Sequence, residues 1–418
     1  MLDFSDLPYA YFEAEYSHFW APILRMYNKY WLLPRKHRVS EVVTLGGDHF
    51  RVAKCSGAHV MIVPNHPTHS DASIVMEAVR QHGGRTQFMA AYDVFLRNKI
   101  DGWVMQKMGA FSVDREASDT KALKAAAASI EKGQLELTIF PEGNVYLENE
   151  RLTPFHDGAA VLAARSGKKL KDEGKRLVIV PVSIKASYEK DVTSKVRKQI
   201  GKLQKAMGCE VEEGMYSLEA LGKVTLERNL RQRGYEVDTA MDMWDMLEHG
   251  ANQVLEGLER KLGIEGGEKK EGMERVRECR RKVHEVLSDP EREIDHKAAR
   301  GWADEAMVAM KIMSYSEAYV KEKPTIDRVA ETTEKLAEDV YGKIMRPFGT
   351  RKVWVKFGEP IDVTEMMSGE KVKLRKVAAQ ITSECEKRVQ AGIDEICSLI
   401  EGETAGMKIC EGYEIGKC

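Results

Sequence analysis

The 418-residue sequence contains no run of about 18 apolar residues, so it offers no transmembrane helix. Its first ten residues, Met1–Ala10, hold Asp3 and Asp6 and no Lys or Arg, whereas a secretory signal needs a basic start and an apolar middle. No C-x-x-C occurs. The seven cysteines, Cys55, Cys209, Cys279, Cys385, Cys397, Cys410 and Cys418, are odd in number and scattered, which fits a reducing compartment and predicts no zinc site. Also absent are G-x-S-x-G, a Walker A loop and G-x-G-x-x-G, so neither a nucleophile-elbow hydrolase nor a phosphate-cradling nucleotide site is indicated. Charge of one sign is not in excess: 64 Lys and Arg face 66 Asp and Glu, a net −2, which argues against a nucleic-acid partner. There is no internal repeat or low-complexity tract. With 43% hydrophobic residues the chain can bury a core, and its length predicts two or three domains or one domain with an insertion.

What is present begins with residues 17–38, which hold Arg25, Lys29, Arg35, Lys36 and Arg38 among Phe19, Trp20, Tyr27, Tyr30 and Trp31, with no acid. Pro22 and Pro34 bracket a short helix-compatible piece. Basic residues mixed with Trp and Tyr suit a membrane–water interface. Taken alone, however, the window reads as an N-terminal helix that packs its aromatics on the core. Beyond it, EVVTLGG, FRVAK and HVMIVP read as strands, DASIVMEAVRQHGG as a helix stopped by Gly83-Gly84, and RTQFMAA as a strand. SDTKALKAAAASIEK, 118–132, reads as a helix capped by Ser118 or Asp119. LELTIFPEG then reads as strand and turn, FHDGAAVLAARSGKKL as a helix and RLVIVPVSI as a buried strand. This alternation predicts an α/β fold with a mixed, largely parallel sheet flanked by helices. Residues 190–345 are charge-rich and helical in pattern, broken at GIEGGEKKEG, 263–272. Strand character returns in KVWVKFGEPIDV, and Leu374, Val377, Ala378 and Ile381 share one face of a C-terminal helix.

The strand HVMIVP runs into Asn65-His66-Pro67-Thr68-His69-Ser70-Asp71 and then a helix, the kind of junction where catalytic loops sit. A carboxylate beside an imidazole fixes its tautomer and leaves the other nitrogen free to take a proton. The spacing alone decides little. With 11 His and 21 Asp, roughly half a His-x4-Asp pair is expected by chance, and His284 with Asp289 is a second one, read here as chance. A metal site at His66, His69 and Asp71 is a weak alternative, lacking Cys and further clustered His. His69 reads as a filler, and Asn65 as a turn former or helix cap.

Three further blocks give context: Gly109-Ala110-Phe111-Ser112-Val113-Asp114-Arg115, Phe140-Pro141-Glu142-Gly143-Asn144, and Val180-Pro181-Val182-Ser183-Ile184. With these in order the chain resembles the glycerophospholipid acyltransferase family, whose blocks are NHxxxxD, G-x-x-x-x-x-R, FPEG-(T/S) and a Val-Pro-(Val/Ile) strand. FGEPIDV at 357–363 looks like the family's later strand. The resemblance covers about residues 41–190 and 350–365. It implies that His66 is the general base on an acceptor hydroxyl and that Asp71 orients it. The activated hydroxyl would attack the thioester of acyl-CoA or acyl-carrier protein, with no acyl-enzyme and no cofactor or metal. By the same resemblance Arg115 would bind the acceptor phosphate, for which a planar guanidinium is suited. Asn65, Glu142 and Gly143 would shape the acceptor site and Pro181 the acyl wall. Without the family, Arg115 reads first as a surface partner of Glu116 or Asp119, and Glu142 reads equally as a turn carboxylate.

Two departures bear on the acceptor: FMAAYDVF has Ala91 and Tyr92 where members often carry Lys, and Asn144 replaces Thr or Ser. The implied reaction is acyl transfer to 1-acylglycerol-3-phosphate in phospholipid biosynthesis. The alternatives are glycerol-3-phosphate or another lysolipid as acceptor, or a non-catalytic lipid-binding scaffold. A lipid enzyme without a spanning helix must reach its substrate from the bilayer surface, so Trp20, Arg25, Lys29 and Trp31 become expected membrane contacts of a cytoplasmic, peripheral protein. The resulting division is an interfacial segment 1–40, a catalytic core 41–190, a helical insertion 191–350, and a returning strand with C-terminal helix 351–418.

Overall fold

The computed structural model describes residues 9–96, 98–115, 119–209, 218–267, 270–288, 296–368 and 373–410. The chain enters through α1 (Trp20–Tyr27) and a π-helix (Asn28–Lys36). It then runs β1 (Val39–Leu45), α2 (Gly47–Cys55), β2 (His59–Pro64), α3 (Asp71–Gln81), β3 (Thr86–Ala91), α4 (Tyr92–Leu96), α5 (Lys99–Lys107) and β4 (Phe111–Val113). Next come α6 (Thr120–Lys132), β5 (Glu136–Thr138), α7 (Gly158–Asp172) and β6 (Leu177–Tyr188). The stretch expected to be helical holds α8 (Thr193–Met207), α9 (Leu218–Gln232), α10 (Met243–Leu262), α11 (Gly272–Ser288), α12 (His296–Met313), α13 (Glu317–Glu322) and α14 (Ile326–Tyr341). Strands return as β7 (Arg351–Phe357) and β8 (Ile361–Asp362), followed by α15 (Val363–Met366) and α16 (Leu374–Ile400).

The strands form one mixed, mostly parallel sheet, ordered β1-β7-β6-β2-β5-β3-β4 with β8 on β6. β7 and β8 pair antiparallel with β6, and β1, parallel to β7, runs with them against β6. β6 is buried at every position, which is why its sequence reads as an almost continuous apolar run rather than an alternating one. One face of the sheet packs α6, α7 and α16, the other α2, α3 and the π-helix. β7 lies between β1 and β6, inside the layer that the residues before 190 begin. Excising the whole C-terminal stretch would therefore split the sheet.

Three local expectations change. FRVAK is not a strand. It lies in α2, where Phe50 and Ala53 turn inward and Val52 stays exposed, a three-residue spacing that suits a helix. Gly46 makes the preceding turn at φ +62, and a Cβ there would fall 2.3 Å from the Phe357 carbonyl oxygen. The helix through residues 20–36 is not bracketed by its prolines: Pro22 sits in the first turn, where its missing N–H costs nothing, and Pro34 lies inside the π-helix. In α16, Val377, Ala378 and Ile381 are buried, but Leu374, at the helix start, is exposed. Of the two caps considered for α6, Asp119 is the one that caps, accepting from Ala122 N at 2.9 Å; Ser118 lies outside the described residues.

The insertion has its own apolar core among α9 to α12. A second cluster joins α8, α13 and α14 to Tyr188 at the end of β6. The tightest attachment is polar. α14 carries Asp327, Glu331, Glu334 and Glu338, a spacing that puts four buried carboxylates on one face. Each has a partner: Lys185 Nζ for Asp327 at 2.9 Å, Tyr319 OH for Glu331 at 2.7 Å, Tyr188 OH for Glu334 at 2.7 Å, and His69 Nε2 for Glu338 at 3.0 Å. Lys185, fully buried in the middle of β6, also meets Glu150 Oε1 at 3.1 Å. Buried charges are tolerated only when paired in this way.

Candidate active site

β2, β5, β3 and β4 pair parallel in that order, so all four end on the same sheet edge. The loops leaving that edge carry the sequence blocks, Asn65–Ser70 after β2, Asp114–Arg115 after β4 and Phe140–Asn144 after β5, and α4 places Asp93 directly after β3. Segments far apart in the chain therefore converge, and ligands in open α/β sheets bind at such an edge.

Asn65 is neither a turn former nor a helix cap. It is buried, and its amide brackets one residue of β6, donating Nδ2 to the Ile184 carbonyl at 3.0 Å and accepting from Ile184 N at 2.7 Å. The β2–β6 ladder ends at Pro64 and Val182, so Asn65 carries the connection onward as the backbone turns into the loop. Pro181 is buried within the same strand pair, opposite Val63, and its carbonyl accepts from Gly358 N at 2.8 Å.

Asp71 opens α3 and is fully buried. Its carboxylate accepts from Thr68 N at 2.8 Å, Thr68 Oγ1 at 2.6 Å and His66 Nδ1 at 2.9 Å. Because Asp71 can only accept, Nδ1 carries the proton and the lone pair is on Nε2. The ring is held flat against Phe140, centroids 4.2 Å apart and 24° between planes. Glu142 turns into the same loop. It is buried, and Oε1 accepts the His66 backbone N–H at 2.6 Å. Burial, opposed by hydrogen bonds from His66 and Thr153, pushes its carboxyl up to about 8. Gly143, at φ +69, leaves room for the His156 ring, which a Cβ would meet at 3.0 Å.

Arg115 does not pair with Asp119, which is occupied by the Asp114 and Ala122 amides. Glu116 lies outside the described residues. The Arg115 guanidinium spans the site instead, donating to the Gly143 carbonyl at 3.1 Å and to Asp93 Oδ1 at 3.4 Å. It thus ties the β4 and β5 loops together.

Residues 43–185 match the family model described as Acyltransferase, the glycerophospholipid acyltransferase family. This segment is an acyltransferase domain. No curated protein matches the chain. The N-terminal segment and the insertion both lie outside the matched residues.

The acyltransferase domain does not meet the insertion passively. His69 is no filler, since its Nε2 is bound by Glu338 of α14, away from His66 and Asp71. His284 has a partner in the acyltransferase domain. Asp289 lies outside the described residues, but His284 Nε2 reaches Asp114 Oδ2 at 3.0 Å, beside Arg115. The stretch after the FPEG block is pinned at Asn149, whose side-chain amide brackets Ala186 of β6 as Asn65 brackets Ile184. Asn149 N donates to Tyr319 OH at 2.8 Å and to Glu331 Oε2 at 3.2 Å, both from the insertion. Sequence reasoning missed these contacts because every partner lies more than 30 residues away and no local pattern announces it.

The N-terminal aromatics do not pack into the core. Phe19 is 69% exposed, Trp20 39%, Tyr30 61% and Trp31 40%. Trp20 meets Trp103 of α5 edge to face at 5.3 Å, and α5 adds Ile100, 69% exposed. Arg25 donates to Tyr16 OH at 3.0 Å, and Lys29 lies over the Tyr30 ring at 5.2 Å. The π-helix is fixed to α3, the helix that follows the His66 loop, by Asn28 Nδ2 donating to the Ser73 carbonyl at 2.9 Å.

Proposed function

We propose that the acyltransferase domain transfers a fatty acyl group from acyl-CoA or acyl-carrier protein to the free hydroxyl of 1-acylglycerol-3-phosphate. The observation that carries this reading is the 2.9 Å contact between His66 Nδ1 and Asp71 Oδ2, which leaves Nε2 as the base at the mouth of the β2 loop. His66 Nε2 takes the hydroxyl proton as the oxygen attacks the thioester carbonyl. The tetrahedral adduct collapses, the carbon–sulfur bond breaks, and the imidazolium returns its proton to the departing thiolate. Asp71 stabilises the imidazolium in between. Arg115 supplies a planar donor group for the acceptor phosphate.

Among the described residues no helix is long and apolar enough to cross a membrane. The exposed rings of residues 19–31, together with Trp103 and Ile100, form one apolar face beside Arg25 and Lys29, which supports a peripheral contact with anionic lipid. The test is acyl transfer from labelled palmitoyl-CoA and palmitoyl-acyl-carrier protein to a panel of lysolipids and glycerol-3-phosphate. 1-Acylglycerol-3-phosphate should be the preferred acceptor, and His66→Ala should lose about 10²–10⁴-fold in rate. Wild-type protein that acylates nothing in the panel would leave a lipid-binding scaffold in its place.

A further inference from the structure

The parallel strands have a second edge, and it is hollowed. At the N-terminal ends of β2, β5 and β3, opposite the His66 loop, lies a cavity of about 670 Å³. Its polar wall comes from Lys54 at the end of α2, His59 opening β2, Arg85 just before β3, Glu136 opening β5, and Tyr16 and His18 from the segment before α1. Glu136 is the only acid in this wall. It is buried and accepts from both Lys54 Nζ and the Arg85 backbone N–H. The Arg85 guanidinium is exposed and has no partner among the described residues, so one positive charge in the cavity is left unbalanced. His59 Nδ1 donates to the Ile130 carbonyl at 2.6 Å, which leaves Nε2 of the neutral ring as an acceptor. The cavity adjoins the apolar face of residues 19–31. Glu15 N and Ser17 N donate to the Gln106 and Lys107 carbonyls of α5 at 3.0 and 3.1 Å, which holds Tyr16 in the wall. The Tyr16 hydroxyl accepts from Arg25 of α1 at 3.0 Å, and His18 leads directly into exposed Phe19 and Trp20.

A phosphomonoester carries close to two negative charges at neutral pH, a phosphodiester only one. A single unbalanced cation suits the diester, and a guanidinium offers phosphate oxygens two parallel N–H donors. The volume is that of a small-molecule site rather than of a bare ion. We propose that this cavity is a second binding site, which takes the phosphodiester of an anionic, hydroxyl-bearing lipid headgroup. Arg85 and Lys54 meet the phosphate, and His59 Nε2 accepts from a headgroup hydroxyl. This rests on the reading of a peripheral membrane contact given above. It divides that contact into two tasks: the exposed rings of α1 and α5 enter the bilayer surface, and the cavity beside them reads the headgroup.

A phosphate could also reach the cavity from solution, so the test has two arms. Full-length protein is titrated with vesicles of phosphatidylglycerol in phosphatidylcholine, read by co-sedimentation. Separately, it is titrated calorimetrically with glycerophosphoglycerol and with inorganic phosphate. Arg85→Gln should weaken vesicle binding about fivefold, the fold-change of about 1 kcal/mol for one basic residue at an anionic surface. Gln134→Trp, at an exposed position in the same wall, fills the cavity and alters no charge; it should weaken binding by about as much, whereas diffuse attraction would be unmoved. Lys168→Gln removes an exposed, unpartnered cation from α7 and should cost less than about twofold. Urea midpoints of all three variants should match wild type. A vesicle loss in only one of Arg85→Gln and Gln134→Trp, or in neither, overturns the lipid site, as does an equal loss in Lys168→Gln. If vesicle binding is unmoved while inorganic phosphate loses affinity in Arg85→Gln, the cavity holds a soluble anion and the lipid source is overturned. A wild type that ignores vesicles but binds glycerophosphoglycerol through Arg85 defeats only the membrane-contact reading. A wild type that pellets with vesicles no better than both cavity variants defeats only this one.

Discussion

Asp71 does two jobs that substitution can separate. Its carboxylate holds Thr68 and His66 by three hydrogen bonds, and its charge faces the imidazole that becomes cationic in the proposed proton transfer. In Asp71→Asn the amide oxygen can take the place of Oδ2, which accepts from His66 Nδ1 and Thr68 N. The NH₂ then replaces Oδ1 and donates to Thr68 Oγ1, which passes its own proton to Ser70 Oγ, 2.8 Å away. The geometry survives, so the stability cost should stay below about 1 kcal/mol. The charge is lost. At a separation near 4 Å and an effective dielectric of about 20, a unit charge pair is worth about 4 kcal/mol, or roughly 10³-fold in rate. Asp71→Ala loses the charge too, but it also strands the buried Thr68 N–H, at about 1–3 kcal/mol, and gives up the Thr68 hydroxyl bond for about 1 kcal/mol more. The two variants should therefore be about equally inactive, with Asp71→Ala less stable by about 2–4 kcal/mol. Initial acyl-transfer rates and urea unfolding followed by circular dichroism read the two quantities. Asp71→Asn within fivefold of wild-type activity would refute the electrostatic role, and equal urea midpoints would refute the hydrogen-bond accounting.

Three further outcomes follow from the same geometry. Burial raises Glu142 from its ordinary 4.5 to about 8, so across that window the folded chain keeps a proton the unfolded chain has released, and stability falls as pH rises. Glu331, also pushed up to about 8 by burial, acts in the same direction. Glu142→Gln should make the decline shallower by up to about 1.4 kcal/mol per pH unit, read from urea midpoints at pH 5, 6.5 and 8. An unchanged slope would mean that Glu142 is ionised in the folded protein. Lys185→Met takes the cation from buried Asp327 and leaves Glu150 to Arg328 alone, and should cost about 3–5 kcal/mol, whereas adding Asp327→Asn and Glu150→Gln should recover much of it in the same denaturation assay. Acidic substitution of Trp20, Arg25, Lys29 and Trp31 should lower co-sedimentation with anionic liposomes, and undiminished pelleting would remove these residues from the membrane contact.

Much of the acyltransferase domain is legible in the sequence because its signals are local. The strands β2, β3, β5 and β6 are compact apolar runs. α6 is an Ala-rich stretch with an acidic cap, and the blocks at His66, Arg115 and Glu142 each sit where a strand ends. A parallel sheet then brings those ends together without further instruction. FRVAK reads as a strand because Phe50, Arg51 and Val52 alternate and five residues carry little periodicity, whereas Gly46 packed against Phe357 makes the turn that starts α2.

What the sequence determined by itself is the pairing of His66 with Asp71 and the α/β layer that presents it. Residue type, spacing and a strand-to-helix junction are written in consecutive positions. The tertiary structure alone decided what surrounds that pair. It seated β7 between β1 and β6, gave His69 to Glu338, His284 to Asp114 and Lys185 to Asp327, and brought Arg280 and Asn144 onto the Met310 sulfur. These are single contacts between residues tens to hundreds of positions apart. A buried charge or an orphaned amide identifies its partner only once the chain has closed around it.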